Sequence, residues 1–348
     1  MQTIIRKVDE NCIDEMIMKE AGALLKQGAL VAFPTETVYG LGANALDSEA
    51  AAKIYAAKGR PSDNPLIVHI ADMDALPLIT AEIPEAAKKL AAKFWPGPLT
   101  MVMKKSEVVP YGTTGGLDTV AVRMPAHPIA LEMIRHGGGY IAAPSANTSG
   151  RPSPTLASHV ADDMDGIVPL ILDGGAVGIG IESTIVDLTD EIPTILRPGF
   201  ITKEMLQKVE GEVQIDKGLD ADSKTPPKAP GMKYRHYAPK AELMIVEGSS
   251  EAVVAKINAL VKENEEKGIC TGIIGTEETI SRYPTGIVKC MGTRSDELSI
   301  SSHLYGILRE FDESDAQVIY SESFEEGAMG SAIMNRLLKA AGHKIIHV

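Results

Sequence analysis

Short apolar runs that alternate with alanine-rich segments limit the fold of the first two hundred residues more than any other feature of this sequence. Apolar runs of strand length lie at 29–33, 66–70, 99–103, 119–123, 140–143, 168–172 and 181–188. Segments such as 49–58 and 85–94 have high helix propensity and the right length to cover a sheet. The pattern predicts an α/β domain with a twisted open sheet and covering helices.

The composition changes after residue 200, which indicates a second domain. A helical segment at 202–209 is followed at 218–239 by a polar, proline-containing stretch without sustained periodicity. Beyond it, strands are predicted at 243–246, 269–274, 286–290 and 317–320, and helices near 250–264, 295–311 and 328–341. This order is typical of a smaller Rossmann-like α/β domain. We predict a first domain at 1–205, a linker or lid at 206–240 and a second domain at 241–348.

Charge and cysteine content exclude several classes of protein. The formal net charge is −13, so stable binding to nucleic acid or to an anionic membrane surface is not expected. The three cysteines are far apart, which suggests neither disulfides nor a cysteine zinc site. Arg6 and Lys7 lie where a signal peptide needs its apolar core, and no stretch has the ~18 apolar residues of a membrane span. We expect a cytoplasmic protein without a membrane segment.

The first chemically informative segment is PTETVYGLGANA, residues 34–45, which follows a predicted strand. Thr35, Glu36 and Thr37 place hydrogen-bonding side chains at a strand end, where ligands of open α/β sheets commonly bind. The glycines at 40 and 42 are predicted to permit a tight turn. A capped turn without a ligand would have the same composition.

The second segment, KGRPSDNPLIVHI at 58–70, combines cations with a proline-stiffened loop. Lys58, Arg60 and Asn64 could bind a polyanion at a small entropic cost. Cations at a helix end are more commonly partners of the helix dipole, and this alternative stays open. His69, on the strand that follows, is either a ligand contact or a structural histidine.

The third segment, DTVAVRMPAHP at 118–128, carries an arginine on a strand. Thr119, Ala121 and Arg123 are predicted to face one side of the sheet, and Val120 and Val122 the other. An arginine on a face of small residues is suited to bidentate binding of a carboxylate. A surface ion pair is the alternative.

Further polar groups follow the predicted strands at 140–143 and 181–188. The loop APSANTSGRPSPT, at 143–155, has the hydroxyl, amide and backbone groups that can surround a phosphate, although a polar linker looks similar. The candidates in this loop and in the segments IESTIVDL and ILRPG are Ser145, Asn147, Ser153, Ser183 and Arg197.

The motifs occur in a fixed order along the chain: PTETVYGLGANA, KGRPSDNPLIVHI, WPGPLT, TVAVRMPAHP, APSANTSGRPSPT, ESTIVDL and LRPG. In this order they resemble the YrdC-type threonylcarbamoyl-adenylate synthases, whose Lys, Arg, Ser and Asn signature appears as Lys58, Arg60, Ser145 and Asn147. The segment APGMKYRHYAP and the second α/β domain are similar to the longer, two-domain form of this family. The resemblance covers essentially the whole chain and implies a YrdC-like first domain.

The resemblance implies a nucleotidyltransferase. L-threonine and bicarbonate would form an N-carboxy intermediate that attacks the α-phosphate of ATP, giving L-threonylcarbamoyladenylate and pyrophosphate. Downstream tRNA-threonylcarbamoyl transferase machinery would place the product beside the anticodon. Mg²⁺ would accompany ATP, held mainly by phosphate oxygens and water rather than by a protein cage.

The resemblance also implies roles for individual residues. Lys58 and Arg60 would be the catalytic residues. ATP would be bound by Lys58, Arg60, Asn64, Thr119, Ser145, Asn147, Ser153, Arg197 and Tyr234, although Thr119 is also a candidate for threonine and Tyr237 is an alternative to Tyr234. Threonine would be bound by Thr35 or Thr37, His69, Arg123, Ala143 and Ser183, with Arg123 on its carboxylate.

Two other functions are alternatives for a chain with these motifs. An RNA-binding module of the YrdC type is the main rival, but the net charge and the 4% aromatic content argue against it. A carbamoyl-phosphate-handling domain of a hydrogenase-maturation protein is the other, and the chain shows no acylphosphatase or zinc-finger segment.

Overall fold

The computed structural model describes residues 2–217, 236–324 and 327–348. These residues form two compact units. The first unit contains residues 2–149, 154–178 and 182–217, and the second contains residues 236–324 and 327–348 together with two short segments, 150–153 and 179–181.

The first unit is a mixed sheet with helices, as the sequence predicts. Its strands are β1 (Ile4–Lys7), β2 (Val31–Phe33), β3 (Gly40–Asn44), β4 (Ile67–His69), β5 (Leu99–Lys104), β6 (Thr119–Arg123), β7 (Ile141–Ala142), β8 (Leu170–Asp173), β9 (Thr184–Asp187), β10 (Thr194–Arg197) and β11 (Gln214–Ile215). Its helices are α1 (Glu15–Lys26), α2 (Ser48–Lys58), α3 (Leu76–Ile79), α4 (Glu85–Phe94), α5 (Tyr111–Thr114), α6 (Pro128–His136), α7 (Ala157–Met164) and α8 (Lys203–Glu210).

The strand order of this sheet is β1-β8-β2-β3-β7-β4-β6-β5-β9-β10-β11. Strand β1 therefore lies at one edge, paired in parallel with β8. The helix predicted at 202–209 is α8, and it is followed by β11, which pairs in parallel with β10. The first part of the segment that the sequence assigns to the linker thus contains the end of α8 and all of β11.

The two faces of strand β6 contribute to two different hydrophobic clusters. Val120 and Val122 belong to the main hydrophobic core, together with apolar residues of α2 and α4. Ala121, on the opposite face, belongs to a small separate cluster with Ile67 and Val102. The predicted facing of alternate residues in β6 is therefore confirmed, and it leaves Thr119 and Arg123 on the face with the small cluster.

The segment predicted as a tight turn around Gly40 and Gly42 is instead strand β3, paired with β2 and β7. The glycines are needed for packing rather than for a turn. A Cβ at Gly42 would lie 2.9 Å from Cγ2 of Ile141 and 3.0 Å from Cε1 of Phe33. The prediction of a turn at these glycines was wrong because the Phe33 ring packs directly over their backbone.

The second unit is an α/β sandwich with a five-stranded sheet of order β14-β13-β15-β12-β16, in which every described pair is parallel. Its elements are β12 (Glu242–Glu247), α9 (Ser250–Glu266), β13 (Thr271–Gly275), β14 (Ile287–Cys290), α10 (Glu297–Asp312), β15 (Val318–Glu322), α11 (Gly330–Ala341) and β16 (Ile345–His347). The predicted Rossmann-like architecture is confirmed. In neither unit does a described helix have the length and apolar character needed to cross a membrane.

Candidate active site

Lys58 joins the end of α2 to the loop that follows β7. Helix α2 ends at this residue because Gly59 takes the left-handed conformation, with φ of 60°. The Lys58 side chain is 3% exposed, and its ammonium donates hydrogen bonds of 2.5 Å to the carbonyl oxygens of Ser145 and Asn147. In return, the Ser149 N–H donates to the Lys58 carbonyl at 2.9 Å. A buried cation therefore fixes this loop against the helix end.

The side chains of the same loop are also fixed. The Ser145 hydroxyl donates to Oδ1 of Asn147 at 2.5 Å, and the Asn147 amide nitrogen donates to the carbonyl of Thr148 at 2.8 Å. Asp163 of α7 accepts a 3.0 Å hydrogen bond from the Thr148 N–H. The signature residues Lys58, Ser145 and Asn147 thus form one hydrogen-bonded cluster.

Arg60, the fourth signature residue, is partly buried on the loop between α2 and β4. Its Nη2 donates to the carbonyls of Asn64 and Pro65 at 3.1 and 3.2 Å, and its guanidinium lies over the Tyr55 ring. The Tyr55 hydroxyl donates to the same Asn64 carbonyl at 3.0 Å. The Asn64 side chain is buried. Backbone carbonyls of the proline-stiffened loop therefore hold the Arg60 guanidinium.

The topology brings this loop to the same edge of the sheet as Ser145 and Thr119. Strand β4 begins where the antiparallel β7 ends, because Val68 pairs with Ala142. Strand β6 is parallel to β4, with Ile67 opposite Ala121, so Thr119 also lies at this edge. The Ala143 N–H completes the edge by donating to the carbonyl of Ile67 at 2.9 Å.

A row of mostly polar residues crosses the sheet at Arg123, four residues after Thr119 in β6 and on the same face of the sheet. His69 of β4 pairs with Arg123 of β6, and Arg123 pairs with Thr100 of β5. The row continues through Ile185 of β9 to Arg197 of β10. Paired residues on neighbouring strands project to the same face, so the sheet itself aligns the two arginines and the histidine.

The turn after β2 supplies partners for Arg123. Nη1 of Arg123 donates to the Thr37 hydroxyl at 2.9 Å, and its Nη2 lies 2.7 Å from a carboxylate oxygen of Glu36. The Thr35 hydroxyl lies 2.9 Å from that of Thr37 and donates to the carbonyl of Val38 at 2.7 Å, which closes the turn. All of these side chains are buried except Glu36, whose side chain is 14% exposed.

Burial keeps the two nearby histidines neutral. Desolvation, assisted by the positive charge of Arg123, lowers the pKa of His69 to about 3. Desolvation also lowers the pKa of His127, although Glu10 and Glu36 oppose the shift. At neutral pH both imidazoles of this part of the site are therefore uncharged.

Ser183 and Arg197 are held together at the end of the row. Arg197 donates to the Ser183 carbonyl through Nε at 3.1 Å and Nη2 at 2.9 Å, and the Ser183 hydroxyl lies 2.8 Å from that of Thr100. Gly199 allows this close approach, since a Cβ there would lie 2.5 Å from the Thr184 nitrogen. The ESTIVDL and LRPG segments are thus adjacent in space.

Some predicted residues lie outside these clusters. Ser153 is buried but belongs to the second unit. Tyr234 lies outside the described residues. Its alternative, Tyr237, is buried in the second unit with its ring centroid 5.0 Å from that of Tyr305.

The structure adds two residues to which the sequence alone assigned no role, Thr100 and His127. It also gives a specific partner, Arg123, to Glu36, which the sequence marks only as a polar group at a strand end. Glu36 lies in the PTET motif and Thr100 in the WPGPLT motif, so the motifs already contained both residues. Their contacts could not be predicted, because the partners, Arg123 and Ser183, are distant in sequence.

The site offers two kinds of chemistry. The cluster around Lys58 and Arg60 presents cations, a hydroxyl and an amide, which are suited to phosphate groups. The Arg123 row presents a guanidinium, a neutral imidazole and hydroxyls, which are suited to a small polar molecule with a carboxylate. Among the described residues, no three His, Cys, Asp or Glu side chains are grouped so that they could hold a metal ion.

Models of two protein families match the chain. The Sua5, YciO and YrdC model, described as telomere recombination, matches residues 23–199. The model described as threonylcarbamoyl-AMP synthase, C-terminal domain, matches residues 201–342. The two matches cover most of both structural units.

Individual relatives give the same result. The threonylcarbamoyl-AMP synthase of Pyrococcus abyssi is 51% identical over 99% of this chain and 100% of its own length. That of Bacillus subtilis is 51% identical over 97% of this chain and 96% of its own length. The crystal structure of P. abyssi Sua5 complexed with L-threonine has a TM-score of 0.94 at 50% identity, covering 99% of this chain and 100% of that chain. The chain therefore belongs to the threonylcarbamoyl-AMP synthase family.

Proposed function

We propose that this chain is an L-threonylcarbamoyladenylate synthase, a nucleotidyltransferase that converts L-threonine, bicarbonate and ATP into L-threonylcarbamoyladenylate and pyrophosphate. The observation that carries the proposal is the extent of the family likeness, which runs through both units and the full length of the P. abyssi synthase. The residues of the site are compatible with the triphosphate of ATP and with threonine.

We assign the triphosphate to the cationic edge of the sheet. Lys58 and Arg60 supply positive charge, and Asn64, Thr119, Ser145 and Asn147 supply polar side chains. Because the Lys58 ammonium is already held by backbone carbonyls, it needs little reorganisation when charge develops on the α-phosphate. Ser153, Arg197 and Tyr234 remain further candidates for the nucleotide.

We assign threonine to the Arg123 row. Arg123 would hold the carboxylate, and the neutral His69 would hydrogen-bond without adding charge. Thr35 or Thr37, Ala143 and Ser183 would provide the remaining contacts. The P. abyssi structure, which is complexed with L-threonine, supports an amino-acid site in a chain of this fold.

The reaction needs no nucleophile from the protein. The threonine ammonium loses a proton and its nitrogen condenses with bicarbonate, with loss of water. The carboxylate formed in this step attacks the α-phosphate of ATP and displaces pyrophosphate, so the protein contributes alignment and charge stabilisation. Mg²⁺, when bound, would offset the charge of the phosphates. Since the described residues offer no acidic cage, its ligands would be mainly phosphate oxygens and water.

The biological setting is proposed on the same basis. The enzyme would act in the cytoplasm, and its product would pass to the tRNA-threonylcarbamoyl transferase machinery, which modifies the adenosine beside the anticodon. A mixed anhydride of this kind reacts with water, so rapid transfer to the next enzyme would be an advantage.

Measuring pyrophosphate release with each substrate omitted in turn tests the proposal. Release should require ATP, L-threonine and bicarbonate together, and the product should contain one threonine and one AMP. Pyrophosphate release that is independent of threonine and bicarbonate would overturn the proposal. Binding of tRNA that falls steeply with salt, without any substrate-dependent release, would favour the RNA-binding alternative.

A further inference from the structure

The Glu36 side chain is partly exposed, but its carboxylate group is shielded from solvent and its surroundings leave it incompletely satisfied. Both of its carboxylate oxygens are shielded from solvent, and neither accepts a well-directed hydrogen bond. Its contact with Arg123, at 2.7 Å, is an ion pair in which the N–H bonds do not point at the oxygen. Nε of Arg123 is likewise buried without a hydrogen-bond partner.

Such an arrangement is costly in a protein without a ligand. A buried carboxylate normally accepts hydrogen bonds, because without them it loses its hydration with little compensation. The pairing with Arg123 reduces this cost but leaves donor and acceptor capacity on both groups. The pair therefore keeps hydrogen-bonding capacity for a molecule that can donate to Glu36 and accept from Arg123.

A free α-amino acid has this complementarity. It carries an ammonium donor and a carboxylate acceptor on adjacent atoms, and its net charge is zero. The Arg123 and Glu36 pair is also neutral in sum, and the nearby His69 is uncharged. A zwitterion would then satisfy both groups without leaving an unbalanced charge in the buried site.

We propose that Glu36 is a substrate-binding residue that receives the α-ammonium group of the amino acid whose carboxylate is held by Arg123. This inference rests on the proposed function, which requires threonine as the amino acid. It assigns the reacting nitrogen to a defined acceptor, so Glu36 fixes the atom that must receive the carboxyl group from bicarbonate.

Equilibrium binding to the full chain, without ATP, tests this role with three ligands. L-threonine carries both charges, L-threoninamide keeps the ammonium but lacks the carboxylate, and 3-hydroxybutanoate keeps the carboxylate but lacks the ammonium. The variant is Glu36→Gln. The matched control is Glu10→Gln, a change at an exposed carboxylate 3.9 Å from His127.

We expect Glu36→Gln to weaken the binding of L-threonine and of L-threoninamide at least tenfold, and to leave the binding of 3-hydroxybutanoate unchanged or tighter. Glu10→Gln should leave the dissociation constants of all three ligands within about twofold of the wild-type values. Equal weakening of all three ligands by Glu36→Gln would show a merely structural role. Tighter binding of L-threonine would show that Glu36 competes with the substrate for Arg123. Either result overturns the assignment.

Turnover of the unmodified chain separates this inference from the proposed function. If wild-type protein releases pyrophosphate only with threonine and bicarbonate, yet Glu36→Gln binds L-threonine normally, the role of Glu36 fails and the proposed function stands. If the wild-type protein neither binds nor uses L-threonine, both fail.

Discussion

Replacing Lys58 by methionine should destabilise the first unit as well as reduce activity. The substitution keeps most of the side-chain volume but removes the ammonium that donates to the carbonyls of Ser145 and Asn147. Charge-assisted hydrogen bonds contribute about 1.5–3 kcal/mol each, and part of this is recovered where the partly exposed Ser145 backbone regains water. We therefore expect a loss of about 2–4 kcal/mol in the free energy of unfolding.

Urea unfolding followed by tryptophan fluorescence measures this loss, because the one tryptophan, Trp95, lies in the first unit. Lys53→Met is the matched control. Lys53 is on the same helix and donates to the carbonyl of Gly28 at 2.6 Å, but it is exposed, so its loss should cost less than about 1 kcal/mol. If Lys58→Met unfolds within about 0.5 kcal/mol of wild type, the ammonium does not anchor the loop and the reasoning is refuted.

Three further outcomes are expected. Arg60→Ala should slow pyrophosphate release at least tenfold while shifting the melting temperature by no more than about 1–2 °C, since the Arg60 side chain is partly exposed and donates to carbonyls of its own loop; unchanged turnover would remove it from the site. Gly42→Ala should lower the free energy of unfolding in urea by about 1–3 kcal/mol, because its Cβ would contact the Phe33 ring at 3.0 Å. Gly178→Ala is the control and should cost little, because no atom lies within 4 Å of the added Cβ. Equal effects of the two substitutions would contradict the packing argument. His69 has a pKa of about 3 in the folded protein and an ordinary pKa in the unfolded chain. Its contribution to the free energy of unfolding is therefore complete above about pH 6.5, and it is lost at up to about 1.4 kcal/mol per pH unit as the pH falls towards 3. Unfolding measured at several pH values should show that His69→Asn loses less stability in acid than the wild type does.

The fold could be predicted from the sequence wherever local pattern and final environment agree. Strand β6 alternates between valines on one face and small or polar residues on the other, and the structure has this arrangement. Strand β3 was missed because glycine usually marks a turn. Its glycines are required by the Phe33 ring, a contact made across strands that no local pattern contains.

The site was predicted as sets of residues rather than as contacts. The positions of Lys58, Ser145 and Asn147 were clear from the motifs, but the hydrogen bonds that join them cross almost ninety residues of chain. The ion pair of Glu36 with Arg123 spans a similar distance and joins the turn after β2 to β6, although three strands lie between β2 and β6 in the sheet. Such pairings follow from the sheet topology, which periodicity and spacing cannot supply.

The position of β8 in the sheet also has a consequence for synthesis on the ribosome. β8 lies between β1 and β2, with Leu170 paired to both Ile4 and Val31. At about 5–20 residues per second, Ile4 is made roughly 8–33 s before its partner. During this interval β1 lacks β8, the strand it pairs with in the final sheet, and one edge of β2 is open. Nascent chains that stall before β8 would therefore expose two unpaired edges and be prone to aggregate.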